Sequence, residues 1–119
     1  MIQQVHIHSS RTDESWWRDK SPAKMRDELR SYNVIIPPCG TTILNYDARN
    51  AGGFLHVCLV PVRTITETKR FADYYTKLQR IALRDYIFWL EQKLGTRHLM
   101  IGNHGDTSPG FKVFSTEWM

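Results

Sequence analysis

The sequence predicts a single-domain α/β fold in which a mixed central β-sheet is flanked by helices. Three observations lead to this expectation. The chain has 119 residues, which is the size of one domain. Residues 5–8 (VHIH) alternate apolar and polar side chains, as a half-buried strand does. Residues 66–94 repeat apolar side chains at helical spacing, and this long helix lies between stretches that have the pattern of strands.

The first predicted strand, residues 5–8, divides its side chains between two faces. Val5 and Ile7 are expected to face the core. His6 and His8 share the opposite face, because side chains along a strand repeat every two residues. The strand therefore presents two imidazoles on one side of the sheet.

The remaining elements are expected in the order helix, three strands, helix, strand and loop. The pattern predicts a helix from Ser21-Pro22 to about residue 33, a strand at 34–40, two strands around a turn at 47–53, a helix at 66–94 and a strand at 97–102. Residues 54–62 are nearly all apolar, which predicts a central strand. Thr64 and Glu67 form a capping-box pattern at the start of the long helix, and Gly95 is its natural stop.

The composition is that of a soluble globular protein, with 41% hydrophobic and 24% charged residues. The net charge of +4 favours an anionic partner such as nucleic acid or a cell-wall polymer, without choosing between them. Lysine and arginine are dispersed along the chain, so a basic arm is not expected and nucleic acid is not favoured. The sequence contains no run of 18 apolar residues, so no membrane helix is expected, and residues 1–10 lack the pattern of a signal peptide. We therefore expect cytoplasmic synthesis and no membrane partner.

The two cysteines, Cys39 and Cys58, are too few to indicate a disulfide framework. Each is expected to be a small buried thiol. Cys58 lies within an apolar strand, where a thiol is a poor nucleophile. Cysteine chemistry is therefore not expected to carry the function.

Two histidines suggest a metal site. His8 and His104 each lie at or near the end of a predicted strand and precede a polar loop, and adjacent strand ends are where sites assemble in α/β sheets. A catalytic zinc needs three protein ligands and one open position. Asp106, Ser108 and His6 are the candidates for the third ligand. The alternative is a pair of surface histidines that bind no metal.

Trp16 and Trp17 lie in a polar stretch between basic residues. Their rings have the chemistry to stack on a sugar or a base, and they are candidate ligand-binding residues. The alternative is that the pair covers an edge of the core. Arg11, Arg18 and Lys20 flank the pair, either to meet an anionic ligand or as a solvated basic loop.

His56-Val57-Cys58 followed by Tyr74 and Lys77 is faintly similar to the strand and helix pattern of rolling-circle nucleases. Those enzymes use a pair of histidines, and the second one is missing here. Tyr74 also fits the apolar stripe of the long helix. Core packing is therefore the expected role of Tyr74.

The second half of the chain resembles the type 2 N-acetylmuramoyl-L-alanine amidase family, which includes phage amidase endolysins and peptidoglycan recognition proteins. The stretches that carry this resemblance are HVCLVPV (56–62), WLEQKLG (89–95) and NHGDTSPGFKVFSTEW (103–118). The first is similar to the family's central strand GVCLVG. IHSSRT (7–12) is similar to the family's first-strand motif VHCSAT, and NAGG (50–53) is similar to its HAG segment.

The resemblance implies a single amidase-like domain over residues 1–119, with helices on both faces of a mixed sheet. It also implies hydrolysis of the bond between the muramic acid lactyl group and L-alanine, with zinc polarising the carbonyl and activating a water. His8 falls on the first zinc ligand and His104 on the ligand histidine that ends a later strand. Asn50 is a candidate ligand-binding residue from the HAG-like segment.

The sequence departs from the family pattern at two important places. The family's third ligand is a Cys or Asp just before Pro-Gly, and this chain has Ser108 there. Asp106 is the nearby carboxylate that offers a replacement. The family's catalytic tyrosine, near the end of its second strand, falls around Thr41, with Tyr46 a few residues further along.

Three functions remain open at this point. The first is a zinc-dependent, endolysin-like peptidoglycan amidase that reaches the cell wall after release. The second is an inactive protein of the same fold that binds peptidoglycan or a protein partner. The third is a small basic α/β protein that binds nucleic acid.

Overall fold

The computed structural model of the chain describes residues 4–10, 12–45, 54–64, 71–95 and 100–103. Its strands are β1 (Gln4–Ser9), β2 (Val34–Ile36), β3 (Ile43–Leu44), β4 (Phe54–Leu59) and β5 (Met100–Asn103). Its helices are α1 (Glu14–Trp17), α2 (Pro22–Glu28), α3 (Phe71–Tyr74) and α4 (Lys77–Leu94).

The strands form one mixed sheet in the order β3-β2-β4-β1-β5. Strand β1 is parallel to β4 and to β5, β2 is parallel to β4, and β3 is antiparallel to β2. The apolar strand β4 lies at the centre of the sheet, as its sequence predicts. Because β1, β2, β4 and β5 run in one direction, their carboxyl ends lie at the same edge.

The core lies on both faces of this sheet. On one face, a cluster of buried side chains joins the sheet to the segment of α3 and α4; its members are Val5, Ile7, Val34, Ile36, Leu55, Val57, Leu59, Tyr74, Tyr75, Leu83, Ile87 and Leu90. On the other face, Trp17 and Met25 from α1 and α2 pack with Ile35, Ile43 and Val60. Helices on both faces confirm the predicted fold class, and the burial of Tyr74 confirms its role in packing.

The long helix begins later than the sequence pattern predicts. Helix α4 starts after Thr76, whose side chain accepts the amide of Gln79, while the Gln79 side chain accepts the amide of Thr76. The capping box of α4 is therefore formed by Thr76 and Gln79. The Thr64 hydroxyl donates to Asp13 at 3.4 Å, and Glu67 lies outside the described residues. The helix ends as predicted at Gly95, which has a φ of +69°.

Gln79 also ties α4 to the sheet. Its side chain is fully buried, and Nε2 donates to the carbonyl oxygens of Ile36 and Val60. Leu78, one of the apolar residues in the 66–94 pattern that predicts this helix, is instead 60% exposed. The reason is that the buried face of α4 begins at Gln79, whose amide satisfies two carbonyls at the ends of β2 and β4.

The first helical region also differs from the prediction. Helix α2 ends at Glu28, and the chain turns before residue 33. Residues 14–17, expected to be loop, form the short helix α1, with Asp13 as N-cap. The early end of α2 lets Tyr32 and Asn33 leave the helix and approach the sheet.

The cysteines have different environments. Cys58 is fully buried, as predicted, and burial raises the pKa of its thiol strongly. Cys39 is exposed, so the expectation of burial was wrong; it lies in the loop after β2, where its Sγ donates to the Thr41 hydroxyl at 3.3 Å. The reason is that the two prolines before Cys39 end the strand and turn the chain outward.

Among the described residues, no helix is both long enough and apolar enough to cross a bilayer.

Candidate metal centre

His8 lies near the carboxyl end of β1, at the edge where the parallel strands end. Its side chain is only 7% exposed. Strand β5 runs beside β1, and its last residue, Asn103, is the register partner of Ile7. His104 is the next residue in the sequence and lies outside the described residues. The pairing of β1 with β5 brings the ends of the two predicted ligand strands together.

His56 is the closest described imidazole to His8. The Nε2 atom of His8 lies 2.9 Å from Nδ1 of His56, and the ring centroids are 5.1 Å apart. His6 contacts the same ring from the other side, edge to face, at 5.7 Å. Register explains the grouping, because His6 is directly opposite His56 in the β1–β4 pair.

His56 features in the sequence-based predictions only through the comparison with rolling-circle nucleases, and none of them gives it a role in the metal site. It lies 48 residues from His8 in the chain, inside a strand that is otherwise apolar. The available signal was one polar residue in a central strand with histidines on the first strand. That signal becomes informative only when the parallel register of β1 and β4 is known.

Tyr32 packs beside the three histidines. We call the group of His6, His8, His56 and Tyr32 the imidazole cluster. The rings of His8 and Tyr32 are 5.0 Å apart and tilted by 54°. The residue after Tyr32 is fixed to β4, because the Asn33 amide donates to the His56 carbonyl and the Asn33 side chain accepts the His56 amide. The turn after α2 is thereby fixed against the sheet.

In the structure Tyr32 contacts His8. The family resemblance did not identify this tyrosine. Thr41, where the resemblance put the tyrosine, lies in the loop between β2 and β3 and lines a groove with Trp17, Pro38 and Cys39. Tyr46 lies outside the described residues. Tyr32 comes just before β2 in the chain and not near its end, so alignment by strand order missed it.

A cleft opens beside the imidazole cluster. It has a volume of about 420 Å³ and is lined by residues that include Ser9, Ser10, Thr12, Trp16, Ser31 and Tyr32. Ser9 follows His8 in the chain, and Tyr32 packs on the His8 ring. The cleft therefore gives a ligand access to the edge of the cluster.

The two tryptophans have different environments. Trp17 is 7% exposed and packs in the core, and no acceptor among the described residues meets its buried Nε1. Trp16 is 52% exposed and lines the cleft, with the Lys20 ammonium 3.9 Å from its ring centroid.

Asp13 is the N-cap of α1, the helix that carries both tryptophans. The Ser15 hydroxyl donates a hydrogen bond to the Asp13 carboxylate, and this bond is the main cause of the lowered pKa of Asp13.

The donors of the imidazole cluster fit part of a zinc site. Imidazole nitrogen is a preferred zinc ligand, and His8 and His56 point two such nitrogens at each other. Within the described ranges, no group of three or more His, Cys, Asp or Glu side chains is arranged to hold a metal ion. The predicted ligands Asp106 and Ser108 and the predicted binding residue Asn50 lie outside the described residues.

No family model matches the sequence, and no curated protein matches it in sequence. Two amidases are among the solved structures that are similar to this chain. The N-acetylmuramoyl-L-alanine amidase LysC from Clostridium intestinale URNW has a TM-score of 0.61 at 13% identity, covering 90% of this chain and 72% of that chain. The endolysin N-acetylmuramoyl-L-alanine amidase LysCS from the same organism has a TM-score of 0.55 at 14% identity, covering 90% and 71%. The chain therefore has the fold of amidase endolysins, as the motifs implied.

Proposed function

We propose that this chain is a zinc-dependent amidase that hydrolyses the bond between the muramic acid lactyl group and L-alanine in peptidoglycan. The observation that carries the proposal is the position of His8. It lies at the carboxyl edge of a sheet with the endolysin fold, with an imidazole nitrogen 2.9 Å from its Nε2 and a tyrosine ring 5.0 Å away. This is the edge at which α/β proteins assemble their sites.

In this proposal His8 and His104 bind the zinc ion. A zinc ion held there would polarise the amide carbonyl and lower the pKa of a bound water. The burial of His8 keeps solvent from one side of its ring. Its contact with the Tyr32 ring, 5.0 Å away, restricts the orientation of the imidazole.

Tyr32 is our candidate for the tyrosine that acts on the substrate. A phenol hydroxyl donates a hydrogen bond, and a donor aimed at the amide oxygen stabilises the negative charge that develops there during hydrolysis. The two Asn33–His56 hydrogen bonds, at 2.8 and 2.9 Å, fix the backbone next to Tyr32. Such fixed donors are effective because they need no rearrangement during the reaction.

Trp16 is our candidate for substrate binding. Its exposed ring lines the cleft, where an aromatic face stacks on the apolar face of a sugar ring. Lys20 lies over the same ring and adds a positive charge beside it. Muramyl peptides carry carboxylates, so this charge suits the substrate. Trp17 serves the core instead, and Asn50 remains a predicted binding residue.

The test combines metal analysis with digestion of cell walls. The purified protein should contain about one zinc ion per chain and should release peptides with new L-alanine amino termini. His8→Ala and His104→Ala should lose both properties. Unfolding midpoints measured with chelator present separate loss of metal from loss of fold. The amidase proposal would be excluded if the wild-type protein carried no zinc and if adding zinc did not change its unfolding midpoint.

A second candidate is a binding protein that keeps the fold without catalysis. Ser108 favours it, because a serine stands where the family has a cysteine or aspartate ligand. Such a protein would sediment with peptidoglycan, or with a protein partner, and leave the wall uncut. Binding without peptide release and without zinc would support this candidate over the amidase.

A further inference from the structure

We propose that His56 is a zinc ligand that shares one ion with His8, and that it supplies the donor that Ser108 does not. This role rests on the zinc site proposed above and adds to it a residue that lies outside the family pattern. In the central-strand motif GVCLVG of that pattern, a glycine stands where this chain has His56. Glycine has no side chain, so the pattern itself provides no donor at this place.

The register of the sheet places His56 where it can reach the site. In the parallel β1–β4 pair His6 is opposite His56 and His8 is opposite Cys58, so all four side chains lie on one face. The alternate residues Ile7 and Val57 belong to the core cluster on the other face. His56 therefore lies two residues before Cys58, the residue opposite His8, and the two imidazoles meet across this offset.

The distance between the two nitrogens suits a shared ion. Zinc bonds imidazole nitrogen at about 2.0–2.1 Å, and a tetrahedral angle then separates two such nitrogens by about 3.3 Å. The observed separation of Nε2 of His8 and Nδ1 of His56 is 2.9 Å. To become two ligands of one ion, the pair must open by about 0.4 Å, and both rings must turn by about 35° so that their lone pairs, which lie along the line between the nitrogens in the hydrogen-bonded pair, converge on the metal.

The backbone around His56 is held as a ligand site requires. Its N–H donates to the Asn33 side chain and its carbonyl accepts the Asn33 amide. The edge of its ring packs against His6, while His8 is almost fully buried. Ligands held in advance by packing and hydrogen bonds lose little freedom when the metal binds.

The donor count also favours this role. A catalytic zinc takes three protein ligands. The family resemblance supplies His8 and His104 and leaves a serine, which is not a usual zinc ligand, at the third place. An imidazole from β4 completes a site of three histidines, a ligand set that zinc enzymes use.

Two variants separate a ligand from a residue that only orients His8. His56→Asn places an amide atom near the position of Nδ1 and keeps a hydrogen bond to His8, but an amide is not a usual zinc ligand. His56→Asp places a carboxylate oxygen there, which does bind zinc. Zinc affinity is measured by competition with a chromophoric chelator, and the ligands are counted by X-ray absorption at the zinc edge.

We expect His56→Asn to weaken zinc binding by more than about 100-fold, beyond the 10–100-fold typical of an outer-shell partner. His56→Asp should keep most of the affinity, with one imidazole fewer around zinc than in wild-type protein. His6→Asn is the matched control, since it removes another ring of the same cluster; it should leave the imidazole count unchanged and lower the affinity by no more than the 10–100-fold typical of an outer-shell partner. Ser108→Ala should also change neither.

The outcomes separate this role from the proposed function. If wild-type protein binds zinc through His8 and His56→Asn keeps the affinity and the imidazole count, His56 is a positioning residue and the ligand role is overturned. If zinc binds as expected but cell walls stay intact, the ligand role stands and the amidase fails. If wild-type protein binds no zinc, both are wrong.

Discussion

Asn33 and His56 are joined by two hydrogen bonds between neighbouring segments of the chain. The Asn33 amide donates to the His56 carbonyl at 2.8 Å, and the Asn33 side-chain oxygen accepts the His56 amide at 2.9 Å. Through this contact one residue fixes both the backbone of His56 and the turn that carries the neighbouring Tyr32. The polar cluster on this face of the sheet therefore depends on a residue that does not belong to it.

Asn33→Ala should destabilise the protein by about 1–3 kcal/mol, because the His56 amide loses its acceptor. It should also weaken zinc binding, since His56 and Tyr32 lose their fixed positions. Urea denaturation and chelator competition measure the two effects. Asn33→Asp is the control, because it keeps an acceptor oxygen in place and should lose less stability. An alanine variant as stable as the parent would contradict the role of this contact.

Gln79→Ala should destabilise the fold by about 1–3 kcal/mol, since the carbonyls of Ile36 and Val60 lose a buried donor. Gln92→Ala is the matched control, because Gln92 lies on the same helix with an exposed side chain. It should change the free energy of unfolding by less than about 0.5 kcal/mol. Equal effects of the two substitutions in urea denaturation would remove Gln79 as the link between α4 and the sheet.

Tyr32→Phe should lower the amidase rate by about 100-fold or more, which is the effect of losing one oxyanion donor. Zinc affinity should not change, because the phenylalanine ring still packs on His8. The measurement is the initial rate of peptide release from cell walls at equal zinc loading. Tyr86→Phe is the control: it makes the same change on α4, where Tyr86 packs on Trp89, and should leave the rate unchanged. A Tyr32→Phe enzyme at the parent rate would exclude a catalytic hydroxyl.

One thiol should react in the folded protein and two in the unfolded protein. Cys39 is exposed and should react with a thiol reagent at neutral pH. Cys58 is fully buried, and burial raises its pKa, so both access and thiolate formation are suppressed. Thiol counts with and without denaturant test this. Two fast thiols in the native protein would mean that β4 is not the buried central strand.

Alkaline pH should destabilise the fold through Cys58. The pKa of this thiol lies near 9.0 when it is solvated and is raised by burial in the folded protein. As pH rises, the thiol therefore loses its proton first in the unfolded chain. The contribution of protonated Cys58 to the free energy of unfolding is fully present below pH 9 and declines above it, by up to about 1.4 kcal/mol per pH unit. Cys58→Ala should flatten the decline between pH 9 and 10, whereas Cys39→Ala should not. An unchanged slope in the first variant would contradict the burial effect.

Several parts of the fold were predictable because they depend on local patterns. The apolar run of β4 indicates a central strand, and Gly95 ends the long helix in the conformation that glycine favours. The predicted start of the long helix after Thr64 was wrong for an equally physical reason. Thr64 has the residue pattern of a cap, but Thr76 has both the pattern and the buried partner Gln79. Tertiary packing decided between two sequences of similar propensity.

The sequence by itself determined the mixed α/β fold and the position of His8 at the end of the first strand, because alternation and helical spacing are local properties of the chain. Only the tertiary structure decided which side chains surround His8. His56 is 48 residues away, and Tyr32 follows a helix that ends earlier than predicted. Both become neighbours of His8 because β4 pairs with β1 in a specific parallel register and Asn33 attaches the turn after α2 to β4. Register is set by packing across the whole sheet, so no local pattern contains it.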